Sequence, residues 1–295
     1  MPADAAARIA PQADLGSARS WLFVPGDRGD RFPKAARSGA EVVICDLEDA
    51  VSEDAKTAAR AGVARWLADG NTACVRINAH GTPFHDDDVA ALTGSPGLLA
   101  VMVPKAEDPA VLGRVSTALG SGTAVVALVE TALGVHRVLE LATVPGVARL
   151  AFGSIDFALD VGARDEPPAL LLARTSLVLA SRVAGLPAPV DGVTQELDDM
   201  SVVQAASSAA AGLGFGGKLC VHPTQIDAVH AGFRPTEAEV RHARRVLAAA
   251  AAGGAARVDG QMIDRPVLER AQRLLRRHGS LPQTPGRTSS IGRNA

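Results

Sequence analysis

The feature that most restricts the fold of this chain is a repeating alternation of short apolar runs and helix-forming stretches. Runs rich in β-branched residues fall at 21–24, 42–45, 74–77, 100–103, 125–129, 149–152 and 219–221. Short continuous apolar runs of this kind read as strands buried on both faces, as in a parallel sheet. Between them lie Ala-, Leu-, Arg- and Glu-rich stretches of helical period, at 54–67, 109–119, 133–141, 169–184 and 198–211. A further strand is placed at 189–190 by spacing alone, because Leu186-Pro-Ala-Pro-Val-Asp191 holds two prolines. Eight strand–helix units in about 230 residues predict a (β/α)8 TIM barrel, whose typical length is about 250 residues. The rival is an open doubly wound sheet, which would need a glycine-rich phosphate turn after a strand. Gly26-Asp-Arg-Gly29 does not match that fingerprint, and no P-loop sequence is present.

The barrel is assigned to residues 18–234, after a flexible leader over 1–17. Residues 235–278 form a C-terminal helical lid extension, one that could cover a barrel mouth, its own or a neighbour's. Thr236 followed by Glu239 is a capping-box pattern. A flexible Ala/Gly segment is expected at 248–254 and a last helix at 267–277. Residues 279–295, rich in Ser, Pro, Gly, Thr and Arg, read as a disordered tail.

Composition narrows the function. Of 295 residues, 30 are Lys or Arg and 32 Asp or Glu, a formal net charge of −2. This balance argues against nucleic acid and against anionic membranes as partners. Aromatic content of 3% with no tyrosine leaves little for stacking bases. No apolar run approaches a membrane span, and the first residues lack a basic-then-apolar secretion signal. Cys45, Cys74 and Cys220 are widely spaced without a C-x-x-C, so buried thiols in a cytoplasmic protein are expected.

In a barrel of this kind the C-terminal strand ends converge on one face and carry the chemistry. Those ends are rich in ionisable groups: Asp46, Glu48 and Asp49 after the second strand, Arg76 after the third, Lys105 after the fourth, Glu130 after the fifth and Asp156 after the sixth. Two carboxylates without nearby His or Cys suit Mg²⁺, which takes one or two protein carboxylates and leaves other positions to water and substrate. Glu130 and Asp156 are therefore the candidate metal ligands, though each could instead cap the helix that follows it. An α-keto or α-hydroxy acid would chelate such a metal, and Arg76 would clamp its carboxylate. Lys105 could be a Schiff-base nucleophile, but four or more nearby acids would keep it protonated, so it reads as a pairing or substrate-binding lysine. Asp46 and Glu48 share a face and could hold Arg19, Arg76 or Lys105. His222 is an acid–base candidate or a histidine bonded to a loop carbonyl. Asp264, on chemistry alone, is an N-cap for the last helix.

These residues stand in an ordered series of motifs: Arg19-Ser-Trp-Leu-Phe-Val-Pro-Gly26, Asp46-Leu-Glu-Asp-Ala-Val51, Val75-Arg-Ile-Asn78, Pro104-Lys105, Glu130-Thr-Ala132, Phe152-Gly-Ser-Ile-Asp-Phe157, Gly217-Lys-Leu-Cys-Val-His-Pro-Thr-Gln225 and Gly260-Gln-Met-Ile-Asp264. The series resembles the citrate lyase beta-subunit-like proteins of the HpcH/HpaI aldolase superfamily. The resemblance implies a (β/α)8 barrel, a homo-oligomer with a trimer favoured, and Mg²⁺ (Mn²⁺ as an alternative) on Glu130 and Asp156. It implies a carbon–carbon lyase that cleaves or forms a 3-hydroxyacyl thioester of malyl, citramalyl, citryl or 3-hydroxy-3-methylglutaryl type. The partners implied are an acyl-CoA or acyl-carrier thioester and a keto acid. Arg76, Asp46 and Asp264 are the implied catalytic set, with Asp264 acting across to a neighbouring subunit. Arg76, Arg19, Lys105 and Glu48 are the substrate-binding set. The alternatives are hydrolysis of a malyl-type thioester in the same site, or a non-catalytic keto-acid-binding subunit. One departure stands out: many relatives have an acid before the aspartate where this chain has Ile155.

Overall fold

The computed structural model describes residues 14–251 and 257–279. The expected leader over 1–13, part of the flexible segment (252–254) and the tail from 280 lie outside them. The chain divides into two compact units, one ending at Phe233 and one beginning at Arg234.

In the first unit eight parallel strands close into a barrel in sequence order: β1 (Ser20–Pro25), β2 (Val42–Asp46), β3 (Ala73–Arg76), β4 (Leu98–Val103), β5 (Ala124–Val129), β6 (Val147–Phe152), β7 (Val190–Asp191) and β8 (Gly217–Cys220). β8 pairs back onto β1, with Trp21 opposite Leu219. Strand alternation divides the apolar residues into two sets. Trp21, Ile44, Cys74, Met102, Leu128 and Ala151 fill the barrel interior. Leu22, Val43, Val75, Val101, Ala127 and Leu150 face outward and pack with helix residues such as Leu67, Leu92, Leu112 and Leu177.

The helices fall close to their expected places. Pro109–Leu119 begins with Asp108, whose side chain accepts the Ala110 amide. The stretch 133–141 is two short helices, Ala132–His136 and Val138–Ala142, which break at Arg137. β7 is only two residues long, and charge secures it. Asp191 accepts two hydrogen bonds from Arg174 (3.0 and 2.8 Å) and one from Lys218 (3.2 Å), all three side chains being buried. No helix among the described residues is long and apolar enough to cross a membrane.

The second unit contains helices Glu237–Ala251 and Arg265–Arg277 around Val240, Ala243, Val246, Ala271 and Leu275. Thr236 and Glu239 make the reciprocal bonds of a capping box. The expected flexible segment from 248 is helical as far as Ala251, in keeping with the high helix propensity of alanine. A hairpin not expected from the pattern, β9 (Arg257–Val258) and β10 (Gln261–Met262), turns on Asp259 (φ 52°) and Gly260 (φ 81°). Positive φ at both positions is what an Asp-Gly two-residue turn supplies, and that dipeptide was the available signal.

Candidate active site

Strand polarity places the ionisable groups. Asp46 and Arg76 are the last residues of β2 and β3 and are direct register partners. Glu130 follows β5 immediately, Lys105 lies two residues past β4, and Asp156 sits in the first turn of helix Ser154–Asp160 after β6. All lie on the C-terminal face of the barrel. Arg76, Asp46, Asp49, Glu130 and Asp156 line one cavity of about 430 Å³ there.

Arg76 is held firmly. Its Nε and Nη2 each donate to an Asp46 oxygen at 2.7 Å, a side-on bidentate pair. Nη1 approaches Glu48 Oε2 at 3.0 Å and Asp49 at 3.3 Å, and the guanidinium lies 4.9 Å from the Phe23 ring centroid. Asp46 also accepts the amides of Glu48 (2.9 Å) and Ala50 (3.2 Å). Both of its oxygens are thus committed, and the expected catalytic part for Asp46 gives way to positioning Arg76. Glu48 is 6% exposed, and its Oε1 accepts Lys105 Nζ at 2.6 Å. Burial pushes the Glu48 carboxyl above the usual range, and the charges of Arg76 and Lys105 oppose that only in part. Partial burial is the largest influence on Lys105 and works against its charge, but the bond to Glu48 together with the negative charges of Glu48, Glu130 and Asp49 outweighs it and raises its pKa. A neutral, nucleophilic lysine is therefore disfavoured here. Lys105 also adopts φ 47°, a left-handed turn that aims its amide at Glu130 Oε1, 2.8 Å away.

Glu130 is 1% exposed. Burial, and then the negative charge of Glu48, push its carboxyl up to about 8 against the Lys105 amide and Arg76. Its Oε2 and both oxygens of Asp156 accept no hydrogen bond from the described residues. Gly153 makes room for this carboxylate: a Cβ there would fall 2.6 Å from Glu130 Cβ and closer still to Oε2. A buried acid short of positive charge, beside a second acid with free oxygens, fits a hard divalent cation. Two carboxylates would leave the remaining positions of such a cation to water and substrate, as Mg²⁺ coordination allows.

Other expectations fall elsewhere. Arg19 precedes β1 and so stands at the opposite, N-terminal end of the barrel. It is tied there to Glu41, so it is not a mouth residue. His222 caps a short turn through Thr224. Burial pushes the Cys45 and Cys220 thiols up to about 12, and Cys74 is raised too, so none is a nucleophile. Asp264 lies in the second unit, where its Oδ1 caps the last helix by accepting the Val267 amide at 3.0 Å. Gly153 and the apolar cavity residues Val193, Leu219 and Val221 were missed. The signal for Gly153 was a glycine placed directly between strand and helix.

Residues 19–223 match the HpcH/HpaI aldolase/citrate lyase family. The chain belongs to that family. It is 40% identical over 275 residues to a citrate lyase subunit beta-like protein of Deinococcus radiodurans, covering 87% of this chain and 96% of the relative. It is 32% identical to a (3S)-malyl-CoA thioesterase of Cereibacter sphaeroides, over 83% and 89% of the two chains. Among solved structures, CitE from Mycobacterium tuberculosis in complex with magnesium, acetoacetate and coenzyme A superposes with a TM-score of 0.79. Sequence identity is 36%, with 90% of this chain and 100% of that one covered.

Proposed function

We propose that the protein is a Mg²⁺-dependent carbon–carbon lyase that cleaves or forms a carboxylate-bearing 3-hydroxyacyl thioester of malyl, citramalyl, citryl or 3-hydroxy-3-methylglutaryl type. The observation that carries this is the meeting of Glu130, Asp156 and Arg76 in one cavity on the C-terminal barrel face. Glu130 and Asp156 hold the cation, whose chemistry when bound is Lewis-acid polarisation of the chelating hydroxy or keto acid. Arg76, whose Nε and Nη2 are fixed by Asp46 and whose Nη1 rests against Glu48 and the exposed Asp49, meets the substrate carboxylate in place of Asp49. Glu48 holds Arg76 in place, and the Lys105 amide holds the Glu130 carboxylate. Asp264 of a neighbouring subunit moves the hydroxyl proton, which makes the working form a homo-oligomer, a trimer by preference. The crystallised CitE relative holds magnesium, acetoacetate and coenzyme A, which supports Mg²⁺, a keto acid and a CoA thioester here. Mn²⁺ should substitute, and the three unpaired cysteines support a cytoplasmic setting, which recovery in an extracytoplasmic fraction would refute.

The test is incubation with Mg²⁺ and malyl-, citramalyl-, citryl- and 3-hydroxy-3-methylglutaryl-CoA, with products identified by mass spectrometry. A keto product with an acyl-CoA supports the lyase. The similarity to malyl-CoA thioesterases supports a second reading, hydrolysis in the same site. Free CoA with an intact hydroxy acid would select it. Keto-acid binding without turnover of any thioester would overturn both.

A further inference from the structure

The cavity at the barrel mouth is chemically two-sided. One side holds four carboxylates, Asp46, Asp49, Glu130 and Asp156, and a single guanidinium, Arg76. The nearest other cation, Lys105, is paired to Glu48 and does not line the cavity. A bound divalent cation would still leave this lining one negative charge in excess. Arg76 has its side-on edge filled by Asp46 and its Nη1 against Glu48 and the exposed Asp49, so it can take at most one substrate carboxylate. A second carboxylate on the substrate would enter a negative, partly desolvated site without a partner, a costly placement.

The other side is aliphatic: Ile155, Val193, Leu219 and Val221 line the same cavity. Ile155 and Val221 are 39% and 43% exposed and stand in the same cavity as the charged groups. Ile155 directly precedes Asp156 in the first turn after β6, so the aliphatic wall begins one residue from the acid assigned to the cation. A substituent on the carbon that bears the chelating oxygen is the part of the substrate that reaches such a wall. A hydrogen or a single methyl would leave the exposed Ile155 and Val221 side chains in water.

We propose that the substrate carries an uncharged alkyl group of two or more carbons on its hydroxyl-bearing carbon, seated on Ile155, Val193, Leu219 and Val221. This deepens the lyase reading and rests on it. In the cleavage direction the hydroxyl proton goes to the base and the bond between the carbinol carbon and the thioester α-carbon breaks. Its electron pair passes to the α-carbon, which takes up a proton. The products are an alkyl 2-oxo monocarboxylic acid and an acetyl thioester.

The test uses the full chain with Mg²⁺ and a series of 3-carboxy-3-hydroxyacyl-CoA substrates bearing hydrogen, methyl, ethyl, propyl or carboxymethyl at that carbon. Burial of each added carbon should raise kcat/KM about 3- to 4-fold up to ethyl or propyl. The carboxymethyl substrate should fall about 100-fold or more below the ethyl one. Ile155→Arg should reverse the order, lowering the ethyl substrate at least about tenfold and raising the carboxymethyl one. The wild-type series does not depend on that variant's folding. Mg²⁺-dependent calorimetric binding of pyruvate, 2-oxobutyrate, 2-oxovalerate and oxaloacetate separates the two claims. Oxaloacetate binding as tightly as 2-oxobutyrate, or the carboxymethyl thioester turning over as fast as the ethyl one, overturns the proposal and leaves the lyase reading standing. Alkyl 2-oxo acids binding in order of length while no thioester is cleaved supports the pocket and removes the lyase.

Discussion

Gly153→Ala is the sharpest test of how the Glu130 carboxylate is held. Gly153 has φ −96° and ψ 87°, which alanine adopts freely, so the cost of substitution is steric alone. The added methyl would lie 2.6 Å from Glu130 Cβ. Carbon atoms rest about 3.5–4.0 Å apart, so one of the two must move by about 1 Å. Crowding of this kind in a packed region costs about 1–3 kcal/mol. With about 2–4 °C lost per kcal/mol for domains of this size, Tm should drop by about 2–12 °C. The larger effect falls on the metal. Ligand distances tolerate only about 0.2 Å, so a shift of this size should weaken Mg²⁺ binding about 100-fold or more and reduce turnover in step. Calorimetric Mg²⁺ titration, with thermal melts with and without Mg²⁺, reads both. Gly113→Ala is the control: it sits inside helix Pro109–Leu119 with only Val144 at 4.0 Å. It should raise stability by about 0.5–1 kcal/mol and leave the metal untouched. Gly153→Ala protein that binds Mg²⁺ within about twofold of wild type would refute the claim that close approach of backbone to Glu130 shapes this site.

Three further outcomes are expected. Arg76→Lys keeps the charge but not the two-pronged bond to Asp46, so kcat/KM should fall about 100-fold while Mg²⁺ affinity changes only a few-fold; equal losses in both would mean that Arg76 acts on the metal site instead. In metal-free protein Glu130 titrates at about 8 against an ordinary value of 4.5. A raised carboxyl pKa gives stability that is complete below about pH 4.5 and is lost as pH rises through about 8. Tm without metal should therefore decline from pH 5 to 9, and saturating Mg²⁺ should flatten the decline; a Tm that climbs over that range contradicts the assignment. Asp191→Asn leaves Arg174 and Lys218 buried without a counter-charge, at a cost of about 3–5 kcal/mol in urea unfolding, and a loss below about 1 kcal/mol would show that the triad does not secure β7.

What could be read from the sequence, and what could not, follows from how each feature is encoded. Parallel strands buried on both faces are continuous apolar runs, so seven strands are visible as such, whereas β7 is held by Arg174 and Lys218 from distant elements and leaves no local signal. Arg19 was misplaced because a charge beside a strand means opposite things at its two ends, and Arg19 stands before β1 rather than after it. The acids of the mouth were legible one at a time, but the division of labour among them was not. It depends on register, which sets Asp46 opposite Arg76 and so makes that acid a holder rather than a reactant. The same reasoning explains the aliphatic wall. Ile155, Val193, Leu219 and Val221 come from three separate strand ends, and only Ile155 stands out in the sequence, as a departure from an acid. Only barrel closure brings them into one cavity with Arg76. The charges therefore constrain where a chelating acid binds, and the selectivity among such acids resides in residues that no charge pattern marks.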